Sequence, residues 1–271
     1  MATDADARLF LAHDMTEPSR MSLAGGTVAA FTRRSPAKES PNEDSSAVIR
    51  TGPDAGVLVV ADGVGGARAG QQASAIAVDA IHAAVAQATD GRPDLRTAIL
   101  DGVERANRSI LELCIGAATT LAVVEIDGTR IRPYHVGDSM ILLIGQRGKI
   151  KLQTIAHSPV GHALEAGVID EHEALHHKDR HVVSNIVGHE AMRIEIGPPI
   201  QMAQRDTLLL ASDGLADNLT ESEIVETIRC GRLPERLSQL ANHVDTRMRN
   251  PSTDGRPSKP DDLTILAYRR D

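Results

Sequence analysis

The amino-acid sequence predicts an α+β protein built in layers, on three observations. Apolar runs of strand length recur from Thr27 onward, short polar joints separate several of them, and helical periodicities come in blocks instead of alternating with the strands. Tight joints make antiparallel neighbours, whereas a doubly wound parallel sheet needs a long crossover after each strand. The chain has 271 residues, enough for one large domain or two small ones. At this size ~70–75% of the unfolded surface can be buried without staples.

Residues 1–21 read as a loosely ordered lead-in to a domain spanning 22–271. Strands are expected at Thr27–Thr32, Ser46–Arg50, Val57–Ala61, Thr119–Ile126, Arg130–Val136, Met140–Ile144, Ile150–Ile155, Thr207–Ala211 and Leu263–Tyr268. Asp127-Gly128 and Gly145–Gly148 are hairpin signals between successive runs. Ala69–Ala88 carries Ile76, Ala80, Ile81, Ala84 and Val85 at helical spacing. Pro93–Leu113 reads as a second helix, with Gly102 weakening its middle. Thr220–Arg229 opens with the capping box Thr220-x-x-Glu223, and Pro234–Met248 follows as the last helix. Asn250–Pro260 is a polar loop into the final strand, and neither an internal repeat nor a second-domain boundary is visible. The stretch His157–His189 stands apart: it holds seven of the 11 histidines and has no strong periodicity. It reads either as a transition-metal site or as a mobile surface subdomain with solvated histidines.

Composition excludes several functions. Hydrophobic residues make up 41% of the chain, yet its aromatics are only Phe10, Phe31, Tyr134 and Tyr268, so the core is aliphatic and base stacking is nearly ruled out. A formal charge of −8 argues against a nucleic-acid partner. Cys114 and Cys230 lie far apart and fit a reduced protein. The N-terminus is acidic where a signal peptide is basic, and the longest apolar runs are too short to cross a bilayer. The expectation is a soluble cytoplasmic protein with no membrane partner.

The chemistry lies in carboxylates at the ends of apolar runs. Val57–Ala61 runs into Asp62-Gly63, Tyr134–Val136 into Gly137-Asp138-Ser139, and Thr207–Ala211 into Ser212-Asp213 with Asp217 close behind. Asp261-Asp262 opens the last strand, and Asn42-Glu43-Asp44 precedes an early one. Asp-Gly is a common turn, and Asp90-Gly91, Asp101-Gly102 and Asp254-Gly255 read as no more than that. Acids at buried strand ends need partners, and the bases near them are too few. Hard divalent cations such as Mg²⁺ or Mn²⁺ accept such oxygen-only donors. Gly63 lets the backbone approach a cation closely, and Gly65-Gly66 permits a turn into the helix that follows.

Taken in order, NED (42–44), DGVGG (62–66), ATT (118–120), VGDS (136–139), SDGLAD (212–217) and DDLT (261–264) resemble the motifs of the metal-dependent, type 2C serine/threonine protein phosphatases. The resemblance covers roughly residues 22–270. It implies a four-layer α-β-β-α sandwich with two central, mainly antiparallel sheets, and a flap subdomain at about 157–188. It implies hydrolysis of phosphoserine or phosphothreonine in proteins by water activated between two Mg²⁺ or Mn²⁺ ions, and substrates phosphorylated by an opposing serine/threonine kinase. Carried over, Asp62, Asp213 and Asp261 are catalytic ligands of a first metal. Asp62, the Gly63 carbonyl and Glu43 hold a second, and Asp138 and Asp217, with Asp213 shared, match a third.

Three positions depart from the pattern. Glu39 stands where many members have a phosphate-gripping Arg, which leaves Lys38, Arg33 and Arg34 as candidate cations, Lys38 favoured. Val64 replaces a His of many eukaryotic members, and Met140 replaces the usual Arg after Gly-Asp-Ser. Two alternatives follow: a metal-binding pseudophosphatase that recognises phosphoproteins without turnover, and a dedicated regulator phosphatase of the stress-sigma-factor type.

Overall fold

A strand covered on both faces reads as a continuous apolar run, since neither face needs polar residues. In the strand Ala55–Ala61, Val57, Val59 and Ala61 pack against helices while Leu58 and Val60 pack between two sheets. The strand Thr207–Ala211 does the same, with Leu209 and Ala211 outward and Leu208 and Leu210 inward. This alternation builds four layers, helices–sheet–sheet–helices.

The computed structural model describes residues 7–64, 66–88, 94–170, 173–174, 176–250 and 257–270. The turns expected at Asp90-Gly91 and Asp254-Gly255, together with Gly65, Pro93 and His172, lie outside them. One sheet runs in the order β1 (Ala7–Leu11), β4 (Ser45–Arg50), β5 (Ala55–Ala61), β8 (Leu121–Asp127), β9 (Arg130–Val136) and β12 (Glu195–Ile196), with β13 (Ile200–Gln201) also on β9. The other runs β11 (Ile150–Gln153), β10 (Met140–Ile144), β14 (Thr207–Ala211), β15 (Leu263–Arg270), β3 (Gly26–Arg33) and β2 (Ser19–Leu23). A short pair, β6 (Gly63–Val64) and β7 (Ala118–Thr119), stands apart from both. The described pairings are antiparallel throughout.

Helices α1 (Ala67–Ala88) and α2 (Leu95–Glu112) cover the first sheet through Ala73, Ala77, Ile81, Ile99 and Val103. The Asp94 carboxylate caps α2 by accepting the Thr97 N–H at 2.8 Å. On the second sheet lie α5 (Glu221–Ile228), opened by the expected Thr220/Glu223 capping box, and α6 (Leu233–Arg249). Between these blocks come α3 (Pro159–Glu165) and the single turn α4 (Asp213–Ala216).

Three readings change. The supposed lead-in is partly sheet: β1 pairs with β4 and buries Phe10 between the sheets, and β2 pairs with β3. Arg8, Arg20 and Ser22 interrupt these five-residue segments, so their apolar signal is weak and the neighbouring strand supplies the order. The turn after β8 is Gly128-Thr129, one residue later than expected, with φ of 58° at Gly128. Asp101-Gly102 is not a turn but the middle of α2, and Gly102 is where α1 and α2 meet. A Cβ there would lie 2.9 Å from Ile81 Cα.

Gly102→Ala therefore sets about 1 kcal/mol of helix propensity against about 1–3 kcal/mol of overpacking. The expected net effect is a lower Tm by calorimetry, lower again for Gly102→Leu; a raised Tm for Gly102→Ala would contradict the close crossing.

Candidate metal centre

Antiparallel register brings the acidic motifs together. Ser45 pairs with Ala61, so Glu43 and Asp44 before β4 meet Asp62 after β5. Leu121 pairs with Val136, placing the ATT segment beside Gly137-Asp138. Ala211 pairs with Met140 and with Ile265, which joins Asp138, Asp213 and Asp261 at the same end of the sandwich.

Each motif then has a local reason. Asn42 is buried; its Oδ1 accepts the Asp44 N–H at 3.0 Å and its Nδ2 donates to Thr32 Oγ1 at 2.8 Å, a turn that projects Glu43. Ser74 Oγ on α1 donates to the Glu43 carbonyl at 2.5 Å. Thr119 Oγ1 and the Thr120 N–H both donate to the Asp62 carbonyl at 2.8 Å, and Thr120 Oγ1 meets Ser139 Oγ at 2.6 Å. The ATT motif thus ties the Asp62 and Asp138 loops together. Gly63 packs face to face on Gly70 of α1: a Cβ on Gly63 would overlap the Gly70 carbonyl and reach the Glu43 carbonyl at 2.7 Å. A Cβ on Gly214 would likewise overlap the Asp262 carbonyl.

Two acids serve the frame. Asp262 accepts the Ser35 and Glu43 N–H groups, each at 2.7 Å. Asp44 is fully buried, accepts the Ser212 hydroxyl at 2.8 Å on Oδ2, and leaves Oδ1 without a partner. The remaining carboxylates crowd. The Asp62 carboxylate keeps an edge in solvent yet has no hydrogen-bond or ion-pair partner among the described residues. Burial, then the charges of Asp44, Asp213, Asp261 and Asp138, push its pKa well above the ordinary carboxylate range. Burial, then Asp261 and Asp217, push Asp213 up in the same way. Burial and the charge of Asp217 raise Asp138 to about 6.

Two lysines enter this cluster. Lys38 Nζ lies 2.5 Å from Glu43 Oε2 and 2.6 Å from Asp262 Oδ2. Lys259 Nζ lies 2.9 Å from Asp213 Oδ2, 2.7 Å from Asp217 Oδ2 and 2.8 Å from Asp261 Oδ2. Burial alone would lower the Lys259 pKa; the three aspartates outweigh it and raise it. Sequence reasoning missed Lys259, and its position two residues before Asp261 was the available signal. An oxygen-only donor set with an unpartnered Asp62 at its centre suits a hard divalent cation. Asp213, Asp217 and Asp261 present carboxylate oxygens within 4.8 Å of one another.

Other expected residues lie elsewhere. Glu39 is exposed. Arg33 donates from Nε to the Met15 carbonyl at 2.9 Å, and Arg34 from Nη1 to the Glu39 carbonyl at 2.8 Å. From the histidine-rich segment, His181 Nδ1 approaches Asp217 Oδ2 at 3.8 Å. His157 is buried, not solvated, and forms a group with His135 and Glu195. Its Nδ1 accepts the Gly137 N–H at 3.0 Å, so Nε2 carries the proton and donates to Glu195 Oε2 at 3.0 Å. With neither nitrogen free for a metal, this histidine fastens the Asp138 loop. Beside the acids a cleft of about 210 Å³, walled by Met140, Val160, Leu164, Leu219 and Ile224, opens at Asp138, Asp213 and Asp217.

Residues 33–253 match the model of the family described as protein phosphatase 2C. The chain belongs to the protein phosphatase 2C family. It is 29% identical over 241 residues to the serine/threonine phosphatase Stp of Listeria monocytogenes, covering 85% of this chain and 90% of that protein. It is 33% identical over 180 residues to the protein phosphatase PhpP of Streptococcus pneumoniae, covering 64% and 72%. The solved serine/threonine phosphatase of S. agalactiae superposes with a TM-score of 0.76 at 25% identity, over 90% of this chain and 99% of that one. The family's two-sheet architecture is the one described above.

Asp44 gives the family frame a pH signature here. Its burial and the nearby Asp262 raise it to about 7, against an unfolded value of about 3.9. Between those values the folded chain holds a proton that the unfolded chain has lost, so the contribution to stability falls as pH rises from 4 to 7. With divalent ions chelated, the Tm of Asp44→Asn should depend less on pH between 5 and 7.5 than that of the wild type. Parallel profiles would contradict the assignment.

Proposed function

We propose that this chain hydrolyses phosphoserine and phosphothreonine in proteins, as a Mg²⁺- or Mn²⁺-dependent phosphatase of one domain, residues 22–271, to which β1 and the start of β2 are joined by their pairing with β4 and β3. The observation that carries this reading is Asp62: a carboxylate without a partner among the described residues, beside a glycine where a Cβ would overlap the Gly70 carbonyl, facing the Asp213, Asp261 and Asp138 charges. In this reading Asp62, Asp213 and Asp261 hold a first ion, Asp62, the Gly63 carbonyl and Glu43 a second, and Asp138, Asp213 and Asp217 a third. Bound cations supply an acidified water and charge neutralisation for the phosphoryl oxygens. Acid–base help alone, worth ~10²–10⁴, is far short of the up to ~10²¹-fold that phosphomonoester hydrolysis needs.

The chain's own residues supply position and binding. Thr119 and Thr120 fix the Asp62 backbone, and His157 fixes Gly137 next to Asp138. Lys38 is our candidate for the phosphate grip, because its ammonium, ion-paired with Glu43 and Asp262, lies at the acidic cluster while Arg33 and Arg34 bind backbone carbonyls of Met15 and Glu39. The segment 157–188 contributes Val160, Gly161, Leu164 and Arg180 to the cleft, which supports its role as a flap that contacts the protein part of the substrate. Free Cys114 and Cys230 support a reducing, cytoplasmic setting, and the substrates would be those of a serine/threonine kinase. Among the described residues no helix is long and apolar enough to cross a membrane.

Asp62→Asn is expected to lose at least nine-tenths of Mn²⁺-dependent turnover of p-nitrophenyl phosphate and phosphopeptides, with an unchanged circular dichroism spectrum. Retained turnover would overturn the ligand assignment, and a wild type that binds Mn²⁺ without turnover would point to the pseudophosphatase. Lys38→Ala should lower kcat/KM by roughly 10–150-fold, mainly through KM, the range for a lost charge-assisted hydrogen bond. A change within twofold would remove Lys38 from the grip. Deleting most of 157–188 should reduce activity on phosphoproteins more than on p-nitrophenyl phosphate, and equal losses would count against the flap.

A further inference from the structure

An ammonium group carries three N–H donors, and Lys259 directs its nitrogen to three carboxylates, those of Asp213, Asp217 and Asp261, at 2.7–2.9 Å. The backbone below it is clamped. The Lys259 N–H donates to Asn218 Oδ1 at 2.9 Å, and Asn218 Nδ2 donates to the Lys259 carbonyl at 2.8 Å and to the Gly214 carbonyl at 2.9 Å. Asn218 is completely buried, so residue 259 is fixed to the turn that carries Asp213 and Asp217. The clamp uses main-chain atoms of Lys259 and is indifferent to its side chain.

We propose that Lys259 is an internal competitor for divalent ions: it satisfies these three carboxylates when no ion is bound and must leave them for an ion to load. The inference rests on the ligand reading given above. A divalent ion needs these oxygens at about 2.0–2.2 Å, and an ammonium cannot stay among them beside a like charge. The Lys259 side chain is 24% exposed, and its flexible four-carbon stem gives the ammonium a path to water while the backbone stays clamped. Lys259 thereby lowers the divalent affinity of this cluster and stabilises the ion-free chain. It acts as a specificity-determining residue for metal loading, not as a ligand or a reacting group.

The experiment compares full-length wild type, Lys259→Met and Lys259→Arg, stripped with chelator, by Mn²⁺ titration calorimetry and by thermal melts with and without Mn²⁺. Lys259→Met should bind Mn²⁺ at least about tenfold more tightly, corresponding to release from one charge-assisted hydrogen bond. Its ion-free Tm should fall below that of wild type, while its Tm at saturating Mn²⁺ should match or exceed it. Lys259→Arg keeps the charge and should bind Mn²⁺ within about threefold of wild type. A merely structural lysine would lower both Tm values and leave affinity unchanged or weaker, and that result overturns the proposal. A second measurement needs no variant: labelling of Lys259 by an amine-reactive acetylating reagent, read by mass spectrometry, should rise several-fold when Mn²⁺ is added. Unchanged or reduced labelling overturns the proposal as well. Equal binding by wild type and Lys259→Met defeats this inference alone, whereas no binding by either defeats the ligand reading and this inference with it.

Discussion

Mutual repulsion among carboxylates is the constraint on which the rest of this structure depends. Glu43, Asp44, Asp62, Asp138, Asp213, Asp217, Asp261 and Asp262 all lie next to strand ends at one end of the sandwich. Burial raises the energy of the ionised Asp44, Asp62, Asp138 and Asp213 carboxylates, and neighbouring acidic charges raise it further. Such a cluster forms only because two sheets with aliphatic faces fix the strand ends wherever the register puts them. The core supplies the free energy that the acidic end withdraws, which is a common arrangement at functional sites.

The chain answers that repulsion in several ways at once. Asp262 is neutralised by two backbone N–H groups and Lys38, and it ties the Ser35 and Glu43 segments to the start of β15. Asp44 takes up a proton near neutrality, and Asp213, Asp217 and Asp261 share the ammonium of Lys259. The Asp62 carboxylate is left without a hydrogen-bonding partner among the described residues, although its backbone is held on both sides by Thr119 and Thr120. A rigid backbone beneath an unsatisfied carboxylate is the preorganisation a cation site requires.

Membership of the protein phosphatase 2C family accounts for the frame, and the departures lie at its rim. Glu39 points into solvent, so the residue at the family's arginine position does not oppose the cluster. Val64 is exposed and Met140 lines the apolar cleft instead of meeting the acids. Among the described residues the histidine-rich segment contributes one buried histidine, His157, which fastens the Asp138 loop. That loop must turn at Gly137 with φ of 101°, where a Cβ would strike Thr120.

What the sequence by itself determined is what depends on local chemistry. Runs such as Val57–Ala61 and Thr207–Ala211 announced strands buried on both faces, Thr220-x-x-Glu223 announced a helix start, and Asp or Glu at strand ends announced a concentration of carboxylates there. The weak edge strands β1 and β2 escaped notice because five residues interrupted by arginine or serine are ordered by their neighbours, not by their own pattern. Gly102 reads as a helix weakness along the chain, yet its reason is a second helix 2.9 Å away from where its Cβ would be. Among the acids, sequence spacing could not separate Asp261, which faces the cluster, from Asp262, which staples two loops, since adjacent residues point to opposite sides of the chain. The tertiary structure supplies the reason for that difference, and only it brought Lys259, a near neighbour of Asp261, onto Asp213 and Asp217 as well. A contact between residues more than 40 positions apart is fixed by register and packing, and neither is written in local sequence.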